Sequence, residues 1–133
     1  MPTIATLLAL LLAFDPMGYA WATQYSIQPE SPLVRNGTHY LGWGQWGTDT
    51  GIRIDIPWVW GHTALSEKDR MAQAVCVFPH EAAHIRFRTA REELPLLYTY
   101  VCLDRVGASQ WLKDAIYDQL NQGAPHGPRP GGD

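Results

Sequence analysis

The chain opens on an almost unbroken apolar stretch, residues 4–14 (IATLLALLLAF), which stops at Asp15-Pro16. A helix needs ~20 apolar residues to span a bilayer, so this run is too short to cross one. Ala20-Trp21-Ala22 follows as an A-x-A pattern. Together they predict an export signal over residues 1–22, cleaved before Thr23. The flank before the run carries no Lys or Arg. A buried N-terminal helix and an uncleaved membrane anchor are therefore the alternatives.

Beyond residue 22 the pattern changes period twice. Ile52, Ile54 and Ile56 alternate with Arg53 and Asp55, which predicts a strand over 51–60. Residues 40–46 are its expected hairpin partner, with 47–50 as the turn. Pro57 points to an edge position for the strand, because proline removes a ladder donor. From Ser66 the period becomes helical. Ser66 is a good N-cap, Glu67 and Asp69 suit a first turn, and Met71, Ala74, Val75 and Phe78 line one side. Pro79 predicts a kink or a fresh start inside a helix that ends near Arg91. A second long helix is expected from Leu94-Pro95 to about Leu120, with Gly107 as its weak point. Residues 123–133 (GAPHGPRPGGD) read as a loose tail. The expectation is an α+β fold: a small antiparallel sheet, then two long helices. The division expected is a signal over 1–22, one domain over 23–122 and the tail.

Composition narrows the function classes. With 46% hydrophobic residues in 133, the chain is no low-hydrophobicity disordered protein. A formal charge of −3 lacks the basic excess of a phosphate-gripping nucleic-acid binder, so no nucleic-acid partner is expected. The two cysteines, Cys76 and Cys102, read as a disulfide if the protein is secreted or periplasmic, and as buried thiols if it is not. A membrane partner is expected only through an uncleaved leader. The six tryptophans fill a core or line an apolar groove.

The chemistry concentrates in His80-Glu81-Ala82-Ala83-His84, an H-E-x-x-H motif on a predicted helix. Histidines four apart share a helix face and can hold one Zn²⁺. The glutamate between them is placed to take a proton from water activated by the metal. Here residues 51–120 resemble the zincin metallopeptidases. The metzincin variant is excluded, since Phe87 and Ala90 stand where it needs glycine and histidine. Leu103-Asp104-Arg105-Val106-Gly107-Ala108, followed by Ala115-Ile116-Tyr117-Asp118, resembles the second-helix stretch of HtpX-like gluzincins. That family takes its third ligand four residues before the aspartate, where this chain has Tyr100. Two readings stay open: Asp104 ligates the metal directly, or it orients a histidine while Tyr100 or water completes the site. The first is preferred. Glu92 and Glu93 follow His84 too closely for a separate helix to present them and read as a solvated helix end. A Cys76–Cys102 bond would clamp the two metal-bearing helices. His39 and His62 read as surface or hydrogen-bonded residues, with His62 a transition-state donor only if its loop folds over the metal, and His126 as a tail residue.

The resemblance implies an exported zinc-dependent peptidase acting on peptide or protein substrates. His80, His84 and Asp104 would be its metal ligands and Glu81 its catalytic base. The rival is a non-catalytic zinc-binding or interaction protein that keeps the motif.

Overall fold

The computed structural model describes residues 1–61 and 64–121. Two helices come first, α1 (Ile4–Phe14) and α2 (Pro16–Ala22). Asp15 joins them: its carboxylate accepts the Gly18 N–H, and Pro16 occupies a first-turn place where no N–H is required. Five short strands follow, β1 (Ser26–Pro29), β2 (Val34–Arg35), β3 (Thr38–His39), β4 (Gly42–Gln45) and β5 (Gly51–Ile54). The rest is helical: α3 (Ile56–Trp60), α4 (Glu67–Phe87), α5 (Glu93–Val106) and α6 (Gln110–Asn121). The fold is α+β, and among the described residues no helix is long and apolar enough to cross a membrane.

The sheet is mixed rather than purely antiparallel. β4 and β5 form the expected antiparallel pair, while β1 adds parallel to β5 on its other side. The alternating isoleucines thus make the central strand, not an edge. Ile52 and Ile54 are fully buried, and Pro57 lies beyond the strand, in the first turn of α3. β2 and β3 pair separately as a small ribbon.

The apolar N-terminal run is packed into the fold. Leu7 and Leu11 are fully buried in the same core as Phe78, Leu103 and Ile52. Asp15 is nearly buried and pairs with Arg105 of α5 at 2.6 Å. Gly18 sits against Pro79, so α2 covers the part of α4 that carries the proline.

Two helical expectations are corrected. Of the two outcomes expected at Pro79, the fresh start does not occur, since one helix runs through it. The second long helix is instead two. Gly107 adopts φ 78°, a left-handed conformation in which a Cβ would be strained, and the N–H of Ala108 closes onto Leu103 O. Ser109 then starts α6, and its backbone and hydroxyl both donate to the buried Asp69 of α4. The Cys76–Cys102 disulfide joins α4 to α5, with Cα atoms 5.7 Å apart.

Candidate metal centre

The two histidines project from the middle of α4, one turn apart, with ring centroids 5.1 Å apart. Each is held through Nδ1. Thr89 O lies 2.6 Å from His84 Nδ1; a carbonyl only accepts, so Nδ1 carries the proton. The Thr99 hydroxyl donates to Pro95 O at 2.9 Å, so its oxygen accepts from His80 Nδ1 at 2.8 Å. With Nδ1 donating on each ring, Nε2 is the nitrogen turned to the site, an N–H donor to a carboxylate or, without its proton, a metal ligand.

What those nitrogens meet is Glu92. One carboxylate oxygen lies 2.9 Å from His80 Nε2 and the other 3.1 Å from His84 Nε2. The His84 contact is not aligned as a hydrogen bond, so its Nε2 is a buried atom without a hydrogen-bond partner. Glu92 is 2% exposed. Burial is the largest single influence on its acidity and opposes ionisation. The two imidazoles against its oxygens together outweigh it, and the carboxyl is held far below the usual carboxylate range. Two imidazole nitrogens and a buried carboxylate converge there, the donor types that a divalent ion takes.

Glu81 completes the cluster, with one oxygen 3.9 Å from His80 Nε2 and its side chain nearly buried. His80, Glu81 and His84 bring their ligand atoms within 4.8 Å of one another, a group able to hold a metal ion. The donor chemistry, two imidazoles and carboxylates, suits a borderline transition ion.

Asp104 is not in this group. It faces solvent on α5, its side chain 63% exposed, and accepts from Lys113 Nζ at 3.0 Å. Tyr100 packs near Tyr117 of α6 instead, with ring centroids 6.3 Å apart. His62 and His126 lie outside the described residues. The carboxylate that does reach the histidines is the one the sequence assigned to solvent. α4 ends on Arg88 in a left-handed conformation, with Thr89 N bonding back to His84 O. Five residues then suffice to reverse the chain and place Glu92 at the N-cap of α5. A cue was present: Pro95 favours a helix first turn, which puts the start of α5 close behind α4 and points the preceding side chain back at the end of α4.

Two glycines of β4 set the distance between sheet and site. A Cβ on Gly42 would lie 3.0 Å from Glu81 Oε2, and one on Gly44 only 2.5 Å from Glu81 O and 3.3 Å from His84 Cβ. Backbone cannot yield as a side-chain tip can. Gly44→Ala is expected to cost about 1–3 kcal/mol through this overpacking. Urea unfolding of the variant checks it, and unchanged stability would mean that the strand moves freely off α4.

A cavity of about 290 Å³ adjoins the cluster. His80, Glu81 and Glu92 lie on its wall, and Val77, Leu96, Leu103, Leu112 and Ile116 make it largely apolar. His39 and Trp58 also line it. Their rings stack at 3.7 Å, and His39 Nε2 lies 2.7 Å from Asp55, which is fully buried. Burial pushes the Asp55 carboxyl up, but hydrogen bonds from His39, Ser31, Leu33 N and Trp58 N prevail and hold it below its ordinary value. His39 is thus a fixed wall of the cavity. Of the tryptophans, Trp43 is core, Trp58 lines the cavity and Trp111 is exposed.

No family model matches the chain, and no curated protein or solved structure matches it.

Proposed function

We propose that the chain is a small exported zinc-dependent metallopeptidase. The observation that carries this reading is the meeting of the His80 and His84 Nε2 atoms with the Glu92 carboxylate, beside Glu81 and an apolar cavity. His80, His84 and Glu92 would hold the zinc. When bound, a zinc ion there supplies Lewis acidity and makes water a nucleophile near neutral pH. The protein's own groups do the rest. Thr99 and Thr89 O hold the histidine tautomers. Glu81 takes the proton of the attacking water and returns it to the leaving amine. The aliphatic wall accepts a substrate side chain and keeps bulk water away. The Cys76–Cys102 bond is compatible with an extracellular or periplasmic location.

The test is metal analysis joined to peptide hydrolysis. The purified protein is expected to carry about one zinc per chain, lost in His80→Ala. Glu81→Gln should keep the zinc and hydrolyse a mixed peptide library at least ~100-fold more slowly. A chain that holds no zinc overturns the reading. Zinc with no hydrolysis, or equal hydrolysis in Glu81→Gln, leaves a non-catalytic zinc-binding protein.

A further inference from the structure

The cavity does not end at the metal cluster. It runs along α4 away from it, past Val77 to Gln73. Gln73, Val77 and His80 are spaced i, i+4, i+7 and so share one helix face. Seven residues of helix place Gln73 about 10 Å from His80 along the axis. Leu112, Ile116 and Gln119 repeat the same spacing on α6, which forms another wall. The middle of the cavity is aliphatic: Val77, Leu103, Leu112 and Ile116.

Gln73 breaks that apolar character. Its Oε1 is buried, and among the described residues it has no hydrogen-bond partner. The half-buried Gln73 side chain lines this end of the cavity, so its amide is the polar group that a ligand tip meets there. A matching ligand has an apolar body as long as the cavity and a neutral polar atom at its tip. A cation would lose its hydration with only neutral amides to meet it at that end. Among the described residues no Lys or Arg lines the cavity, so a carboxylate-tipped side chain meets no counter-charge from them. The phenol of tyrosine fits. Its ring fills the aliphatic section, and its hydroxyl both donates and accepts, so it can meet the Gln73 amide.

We propose that this cavity is a specificity pocket for a tyrosine side chain next to the peptide bond presented to the metal, with Gln73 as the residue that reads the phenol hydroxyl. The proposal rests on the peptidase reading for its orientation, but binding tests it separately. Two blocked tripeptides are compared, identical except for a central tyrosine or phenylalanine. Their binding to the zinc-loaded full chain is measured by calorimetry, and their hydrolysis in parallel. A site with a buried polar group rejects the ligand that lacks its partner. Tyrosine is expected to bind ~10-fold or more tightly than phenylalanine. Gln73→Met keeps the side-chain length and removes the amide. It should abolish the preference while zinc content and melting temperature stay as in the wild type. Equal binding of the two peptides, or a preference that survives in Gln73→Met, overturns the pocket. Selective binding without hydrolysis leaves the pocket standing and removes the peptidase reading. Hydrolysis without selectivity does the reverse.

Discussion

Replacing Glu92 with alanine is expected to weaken zinc binding by more than ~100-fold, while Asp104→Ala leaves it unchanged. Losing a group that merely orients a metal ligand costs ~10–100-fold in affinity, and losing a ligand costs more. Glu92 stands at 2.9 and 3.1 Å from the two Nε2 atoms and is the only carboxylate that touches both among the described residues. Asp104 spends its charge on Lys113 at the surface, where a pair contributes little. Competition with a chelator of known affinity, at fixed pH, separates the two variants. The opposite result, tight binding in Glu92→Ala and loss in Asp104→Ala, would restore the ligand set expected from the sequence. Glu92→Gln refines the result. Its amide oxygen can still ligate but brings no charge, so intermediate affinity would assign part of the effect to electrostatics.

The difference between Glu92 and Asp104 shows where the sequence is readable and where it is not. Residues with fixed spacing on one element were legible: His80, Glu81 and His84 share a helix face by periodicity alone, and Ile52 and Ile54 turn inward by alternation. Antiparallel pairing of 40–46 with the strand expected over 51–60 was legible because a glycine-containing turn joins them, although that strand ends at Ile54 and residues 56–60 are helix α3. What a chain reversal does was hidden. The left-handed Arg88 that turns the chain back carries no glycine or asparagine to announce it. Without that reversal, eight residues from His84 to Glu92 look too few to bring a side chain home. Gly107 was visible as a weak point, but its positive φ, which makes it a helix end, depends on Ala108 bonding back to Leu103. Pro57 misled for a related reason. Its missing N–H is as harmless in the first turn of a helix as at a sheet edge, and periodicity cannot choose between them. The apolar run 4–14 has a sequence suited to an address label, and in the fold its Leu7 and Leu11 are core.

Removing the disulfide should have the largest effect on stability. The bond closes a loop between residues 26 apart, and loop-closure entropy for that length amounts to about 3.5 kcal/mol. Both cysteines are buried, so Cys76→Ala with Cys102→Ala also loses packing. A fall in melting temperature of roughly 10–20 °C is expected for a domain of this size. The placement of the bond adds a second, more discriminating expectation. Cys76 lies one turn before His80 on α4, and Cys102 lies on the helix that Glu92 begins, so the disulfide and a metal held by His80 and Glu92 would tie together the same two helices. A ligand that binds only the folded state stabilises it in proportion to the logarithm of its concentration over Kd. Zinc should therefore recover part of the lost melting temperature in the double variant, and none of it when His80→Ala is added. If the double variant melts within about 3 °C of the wild type, packing between α4 and α5 suffices without the bond. If zinc raises the melting temperature equally with and without His80, the ion acts elsewhere on the chain and the two helices are not its clamp.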